Sequence, residues 1–307
     1  ITMRKFIFCF AILFSVIMKA HEGGNFVESD MLASLQPGDK AALLVVHFGT
    51  TYPETRQRTI EAINRKIADA FPQLTIREAW TSRIVIKRMA ARGEKIPVPA
   101  QALQQLHAEG FTHVVVQSTN IIEGIEMEAL RGEVAQATSL FKDIRVGNPL
   151  LYSVDDYHQV LQTVVQHAPA RKEVVLVGHG TYTPSTSTYA MMDYMLKAKG
   201  YANFHVGTIE GYPSFDDMLQ QLKASRKKEV TLMPFMFVAG DHANNDIAVD
   251  WKEALVKEGF RVDVMMQGLG ELPQIQEQFM EHARFALTHK LIDIKDKKKQ
   301  YAQSENE

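Results

Sequence analysis

Cysteine is nearly absent from this chain, and the shortage restricts its covalent and metal chemistry. Cys9 is the single cysteine among 307 residues. One thiol cannot form an internal disulfide or a metal site built from several thiolates. The sequence therefore excludes a disulfide scaffold and a thiolate-rich metal centre.

Glycine motifs that hold nucleotides or activate a serine are also missing. Gly178 and Gly180 begin a Gly-x-Gly-x-x-Gly pattern that no third glycine completes, and no Gly-Lys-Ser/Thr phosphate loop occurs. Ser185 and Ser187 follow His179, but a serine hydrolase is weakly supported because the Gly-x-Ser-x-Gly elbow does not occur. The sequence therefore has no motif for binding a dinucleotide or a nucleotide phosphate.

Charge of one sign is not in large excess either. The net charge is −2 at pH 7, and the lack of a long basic stripe argues against nucleic acid as a partner. The chain does have length and apolar residues, since 46% of its residues are hydrophobic. That composition suffices for one large or two ordinary α/β domains. It leaves the oligomeric state open, a homo-oligomer included.

Residues 1–20 differ in composition from the rest of the chain. Arg4 and Lys5 precede an apolar run that ends at Met18, and Ala20 follows shortly afterwards. The run is short for a membrane-spanning helix, and the arrangement is typical of a cleavable export signal. An uncleaved membrane anchor is the alternative. We therefore predict an exported, periplasmic protein whose mature chain begins near His21.

Short apolar runs alternate with longer amphipathic ones from residue 41 onward. Pro53–Phe71 has the spacing of one helix, and another is predicted over His242–Glu258 with Asp241 as its N-cap. Strands that alternate with helices predict parallel sheets with helices on both faces. Lys295–Glu307, within a charged tail of residues 291–307, is predicted to be disordered.

The order of the elements recurs along the chain, and so do particular residues. Two pairs of segments align: residues 44–55 with 175–186, and residues 115–126 with 231–242. Phe48 falls opposite His179, and Glu126 falls opposite His242. The recurrence indicates that one structural unit occurs twice.

We therefore predict an α/β fold of two similar halves, each a parallel sheet flanked by helices. The halves span residues 40–152 and 170–290, and the second ends with a long helix over Glu271–His289. Parallel sheets bind ligands at the carboxyl ends of their strands. Two such sheets facing one another would form a central cleft that holds the functional site.

Polar side chains end three successive strands of the predicted second half: His179, Glu210 and His242. Neighbouring parallel strands lie about 5 Å apart, so these groups can converge on one small volume. Two imidazoles and a carboxylate suit a divalent cation such as cobalt, zinc or iron. The same set suits proton removal by the glutamate. The simpler alternatives are a turn residue at His179, a helix cap at Glu210 and a surface residue at His242.

Six segments of the chain, taken in order, resemble the anaerobic sirohydrochlorin cobaltochelatases of the CbiK type, which are relatives of ferrochelatase. The segments are His47-Phe-Gly-Thr-Thr-Tyr-Pro53, Ala79-Trp-Thr-Ser-Arg83, Val116-Gln-Ser…Gly124-x-Glu126, Gly178-His-Gly-Thr181, Glu210-Gly-Tyr-Pro213 and Met233-Pro-Phe-Met-Phe-Val-Ala-Gly-Asp-His242. The likeness covers about residues 40–290, and the ordered set is far more specific than any one motif. At Asn120 the family often carries a histidine.

This resemblance implies two α/β halves that clasp a tetrapyrrole. It implies a metal site at His179, Glu210 and His242, where His179 and Glu210 are catalytic and Glu210 takes up protons. Further side chains are expected to contact the tetrapyrrole: His47, Phe48, Glu126, Met236 and Phe237. The implied metal substrate is Co²⁺, with Fe²⁺ and Ni²⁺ as alternatives, and the implied insertion reaction needs no organic cofactor.

The predicted export signal supports a second interpretation, because sirohydrochlorin is made in the cytoplasm. An exported protein on the same scaffold would bind haem, or remove its iron, during nutrient uptake. His179 and His242 would then be axial ligands to the haem iron.

Overall fold

The computed structural model describes residues 25–170 and 172–304, which form ten strands and eleven α-helices. The strands are β1 (Phe26–Glu28), β2 (Ala41–His47), β3 (Thr75–Trp80), β4 (His113–Ser118), β5 (Asp143–Val146), β6 (Glu173–Gly180), β7 (Phe204–Glu210), β8 (Glu229–Pro234), β9 (Arg261–Val264) and β10 (His289–Leu291). The helices are α1 (Pro53–Arg58), α2 (Ile60–Ala70), α3 (Arg83–Ala90), α4 (Pro99–Ala108), α5 (Ile125–Ala137), α6 (Val154–His167), α7 (Ser187–Ala198), α8 (Phe215–Ser225), α9 (Lys252–Lys257), α10 (Pro273–Thr288) and α11 (Ile294–Ser304). A π-helix, Ala243–Trp251, leads directly into α9.

Two four-stranded sheets form the framework, and their strands follow the same order. The first sheet runs β3-β2-β4-β5 and the second runs β7-β6-β8-β9. Every neighbouring pair in both sheets is parallel. The prediction of two similar α/β halves is therefore confirmed, and β2 and β6 hold equivalent central positions.

The two sheets divide the interior into three apolar layers. Leu43 and Val45 of β2 face a layer between the sheets that also contains Leu176 of β6 and Phe279 of α10. Alternate residues such as Leu44 face α4 and α5 on the outside of the first sheet. Helix α8, the π-helix and α9 cover the outside of the second sheet. Burial on both faces explains the near-continuous apolar runs of the central strands.

Helix α10 is predicted as part of the second half, but its main contacts are with the first half, although Phe279 also belongs to the layer between the sheets. The helix lies beside β4 and α6. His282 bonds through Nε2 to the Asp156 carboxylate at 3.0 Å and through Nδ1 to the Asn148 carbonyl at 3.1 Å. Arg145 donates to the carbonyl of Ala286 at 3.1 Å. The chain therefore returns to its first half after completing the second sheet.

The helix predicted over Pro53–Phe71 is divided into α1 and α2 at Thr59. The backbone of Thr59 adopts φ −113° and ψ −80°, and its hydroxyl donates to the Thr55 carbonyl at 2.6 Å. Such bonding of a threonine hydroxyl to the preceding turn bends helices. The bend keeps Ile63 and Ile67 of α2 in the layer between the sheets.

The prediction of a disordered tail is wrong for residues up to Ser304, which form α11. The Asp293 carboxylate accepts from the Lys295 amide at 2.7 Å, and Asp296 pairs with Lys299. A two-stranded antiparallel sheet, which the sequence did not indicate, joins β1 to β10. It fastens the start of the described chain to the end of α10.

The predicted export signal at residues 1–20 lies outside the described residues. Within residues 25–170 and 172–304, no helix has the length and apolar character that crossing a bilayer requires.

Candidate functional site

A cavity of about 370 Å³ lies between the two halves, at the carboxyl ends of their strands. Residues that follow β2 and β4 line it on one side, and residues at the ends of β6, β7 and β8 line it on the other. This is the position at which parallel sheets bind ligands. The predicted central cleft is therefore present.

Two histidines from distant parts of the chain meet in this cavity. The ring centroids of His179 and His242 are 4.5 Å apart, and the ring planes are nearly perpendicular at 85°. His179 lies near the end of β6, and His242 directly precedes the π-helix. Both rings are half-buried and line the cavity. The sequence prediction that they converge agrees with this arrangement.

Hydrogen bonds orient both rings through Nδ1. His242 Nδ1 lies 2.7 Å from the carboxylate of Asp246, four residues further along the π-helix. His179 Nδ1 lies 3.3 Å from the Gly180 carbonyl. When Nδ1 is the protonated nitrogen, Nε2 carries the lone pair that a metal ion needs. A carboxylate on the other nitrogen also raises the basicity of a ligating imidazole.

Gly180 brings Glu210 close to the histidine pair. It pairs with Glu210 in the register of β6 and β7. Its φ is +88°, and a Cβ at this position would lie 1.5 Å from the Glu210 carbonyl oxygen. Only glycine allows so close an approach of two backbones. The Glu210 side chain is exposed and lines the cavity.

The structure unites the two imidazoles but does not complete a three-residue metal site. Among the described residues, no three His, Cys, Asp or Glu side chains are arranged to hold a metal ion. Glu210 lines the cavity from the second half and Glu126 lines it from the first. The assignment of Glu210 as the third ligand stays a prediction, and Glu126 offers a second carboxylate to the same cavity.

Four of the five side chains predicted to contact a tetrapyrrole line the cavity. They are Phe48, Glu126, Met236 and Phe237. Phe48 and Met236 are partly exposed, and Phe237 is buried. Ile84 and Ile125, which the sequence analysis did not identify, add exposed apolar surface on the side of the first half. The cavity therefore combines a pair of imidazoles with an apolar wall.

His47 is the exception, because it lies behind the cavity wall. It is 1% exposed and shares the inner face of β2 with Leu43 and Val45. Its ring nitrogens lie 3.0 Å from the Thr119 hydroxyl and 3.1 Å from the Asn64 side-chain oxygen. Burial lowers the pKa of His47 to about 4. The prediction that His47 contacts a tetrapyrrole is not supported, because its ring stacks on Phe237 and does not line the cavity.

Asp241 was expected to cap the helix that follows, but it has another partner. The N-cap is His242, and it makes no side-chain capping bond. The Asp241 carboxylate instead accepts a hydrogen bond from Arg88 of α3, in the other half. Arg88 also lines the cavity. No local pattern could have indicated this contact, because 153 residues separate the two partners.

The fold of two similar halves around a cleft is that of the bacterial chelatases. The solved structure of the sirohydrochlorin chelatase SirB from Bacillus subtilis subspecies spizizenii, in complex with cobalt, superposes with a TM-score of 0.60. The match is 14% identical and covers 81% of this chain and 95% of that one. It establishes the architecture.

Sequence comparison gives the particular family. The model of the cobalt chelatase (CbiK) family matches residues 41–288, and the chain belongs to this family. The sirohydrochlorin cobaltochelatase of Salmonella typhimurium is 39% identical over 256 residues, which are 81% of this chain and 97% of that protein. The sirohydrochlorin cobaltochelatase CbiKC of Nitratidesulfovibrio vulgaris is 30% identical over 262 residues, covering 82% and 92%.

Proposed function

We propose that this protein is a chelatase that inserts Co²⁺ into sirohydrochlorin. The observation that carries the proposal is the pair of imidazoles, His179 and His242, whose centroids lie 4.5 Å apart in a cavity with an apolar wall. Two neutral imidazoles offer borderline-soft ligands to a first-row divalent ion, and they leave coordination positions open. Fe²⁺ and Ni²⁺ have similar ligand preferences and are the alternative metal substrates.

The reaction exchanges two pyrrole protons for one divalent cation, so the site must hold the ion and accept protons. His179 and His242 would hold the ion at one wall, where it sheds water before it reaches the ring nitrogens. Phe48 and Met236 would lie against the flat ring. Glu210, which is exposed beside the histidines, would take up protons and pass them to solvent. This exchange is neither redox nor phosphoryl transfer.

The proton-accepting role of Glu210 can be tested by removing its charge. We expect Glu210→Gln to bind Co²⁺ as the wild type does but to lower kcat for insertion about 100-fold, because general-base catalysis is worth factors of that order. Steady-state kinetics and Co²⁺ titration separate the two quantities. Glu128→Gln, at an exposed position on α5 outside the cavity lining, is the matched control.

An unchanged kcat in Glu210→Gln would remove Glu210 from this role. Glu126→Gln should be measured in the same series, because Glu126 faces the cavity from the opposite half. A loss confined to Glu126→Gln would assign the proton acceptor to that side.

The second candidate function is binding of haem, or removal of its iron, by an exported protein. The basic and apolar pattern of residues 1–20 favours it. We propose a periplasmic location on the same ground. In this alternative His179 and His242 would ligate haem iron, and no metal would be inserted.

An insertion assay run beside a haem titration separates the two functions. The full chain is given Co²⁺ and sirohydrochlorin, and the absorption spectrum of the product is followed. A parallel sample is titrated with haem. We expect enzyme-dependent formation of the cobalt complex. Absence of insertion, together with a Kd for haem in the micromolar range or lower, would refute the chelatase proposal.

A further inference from the structure

Acidic groups outnumber basic ones around the cavity. The described residues that line it include three carboxylates, Glu126, Glu210 and Asp241, and a single lysine or arginine, Arg88. This balance attracts a divalent cation. It opposes the entry of a ring that carries acidic substituents, because like charges repel strongly in a partly desolvated site. Arg88 is the one group of the lining that can compensate for that repulsion.

Arg88 pairs with a carboxylate of the other half. Its Nη1 donates to the carboxylate of Asp241, and this bond joins α3 of the first half to the turn before His242 in the second. Tyr52 of the first half also hydrogen-bonds to Asp241, and burial together with this bond raises the pKa of Tyr52. Asp241 therefore retains a partner when Arg88 leaves.

The ion pair is weak enough to exchange. The side chains of Arg88 and Asp241 are 52% and 40% exposed. Pairs this accessible to solvent contribute little to stability, because water screens the charges. A guanidinium can bind a carboxylate with two parallel hydrogen bonds, which gives such a contact directional preference. An incoming carboxylate can therefore take the place of Asp241 at little cost.

We propose that Arg88 is the specificity-determining residue for the acidic substituents of the tetrapyrrole. Asp241 holds Arg88 at the edge of the cavity. In the complex, Arg88 releases Asp241 and binds a carboxylate on the periphery of the ring. This assignment rests on the proposed chelatase function, and it explains how an acidic cavity accepts an acidic ring.

The test compares the affinities of metal-free porphyrins that differ in carboxylate number. Uroporphyrin, coproporphyrin and protoporphyrin, in order of decreasing carboxylate number, are titrated by fluorescence into the wild type, Arg88→Ala, Arg88→Lys and Asp241→Asn. Lys87→Ala is the matched control, since it removes the same charge from an exposed neighbour on α3 that does not line the cavity. The KM and kcat for sirohydrochlorin are measured in parallel.

We expect Arg88→Ala to weaken uroporphyrin binding about 10-fold, the order of one partly exposed charge-assisted hydrogen bond. The same variant should discriminate less between porphyrins with many and with few carboxylates. Its weaker ring binding should raise the KM for sirohydrochlorin. Arg88→Lys should restore part of the affinity. Asp241→Asn should bind at least as tightly as the wild type, because it frees Arg88.

Two results would overturn the assignment. One is unchanged uroporphyrin affinity in Arg88→Ala. The other is an equal loss in Arg88→Ala and Asp241→Asn, which would mean that the ion pair itself is what matters. Both results count against the role of Arg88 only when the wild type itself inserts Co²⁺. A wild type without insertion activity would instead refute the proposed function.

Discussion

Replacement of either imidazole, in His179→Ala or His242→Ala, is expected to reduce Co²⁺ insertion to the uncatalysed background while leaving the fold intact. Each variant keeps one of the two rings that lie 4.5 Å apart. A single neutral imidazole holds a divalent ion far less tightly than a pair, and it cannot fix the ion against one face of a ring. Both rings lie at a cavity and not in the core, so truncation creates no buried void.

Insertion rates, Co²⁺ affinity and thermal unfolding are measured for each variant. His107→Ala, at an exposed histidine of α4 outside the cavity lining, is the control and should insert cobalt at the wild-type rate. Retained insertion in either cavity variant would contradict the site. Loss of cooperative unfolding would mean that the ring supports the fold.

Substitution of Asp246 is expected to have a smaller effect on Co²⁺ insertion than substitution of either histidine. The Asp246 carboxylate lies 2.7 Å from His242 Nδ1 and orients the ring. Loss of such a partner typically costs 10–100-fold in metal affinity. Asp246→Ala should therefore weaken Co²⁺ binding by about that factor and reduce insertion less than His242→Ala does. Asp246→Asn, which keeps an acceptor oxygen, should lie between Asp246→Ala and the wild type.

The second large effect is expected from Gly180→Ala, which should lower the free energy of unfolding by about 2–5 kcal/mol. The positive φ of +88° alone costs an L-residue roughly 1–2 kcal/mol. The added Cβ would lie 1.5 Å from the Glu210 carbonyl oxygen, so β6 and β7 must separate. Overpacking of this kind typically adds about 1–3 kcal/mol. Insertion should fall too, because His179 and Glu210 move apart.

Gly200→Ala is a matched control for backbone strain. Gly200 has φ +89°, but a Cβ added there would have no heavy atom within 4 Å. Its substitution should therefore cost about 1–2 kcal/mol, the cost of backbone strain alone, and leave insertion unchanged. Denaturant unfolding of the two variants gives the comparison. Equal destabilisation would show that the contact with Glu210 does not constrain this position.

The similar halves and the meeting of His179 with His242 could be predicted because both follow from local pattern and one topological rule. The repeated segments predict repeated strands, and parallel strands end at one edge of a sheet. Gly49 and Gly180 are equivalent in the alignment, and both have positive φ, +99° and +88°. The repeat is therefore preserved in the backbone as well as in the residues.

The alternation of side chains along a strand explains why the predicted position of His47 in the cavity is wrong. His47 is equivalent to Gly178, whereas Phe48 is equivalent to His179. Phe48 and His179 both line the cavity. A Cβ at Gly178 would lie 2.3 Å from the ring of Tyr189, in the packed interior. The alignment thus contained the information that His47 faces the core, because a shift of one residue reverses the face.

Other features depend on contacts that sequence order does not reveal. Arg88 and Asp241 meet across 153 positions. The amphipathic pattern of α10 predicts a helix with one buried face, but either sheet could cover that face. Its place beside β4 depends on tertiary partners such as the pairing of His282 with Asp156, at 3.0 Å.

The packing of α10 against the first half restricts how far the two halves can separate when a tetrapyrrole enters the cavity. Leu43, Leu176 and Phe279 belong to one continuous apolar layer, and exposing each such side chain costs about 1.5–3 kcal/mol. A hinge motion that moves the two halves apart would expose this layer and break the packing contacts of α10. The fold therefore opposes such a hinge motion, and we expect the spacing of the two cavity walls to change little when the ring binds.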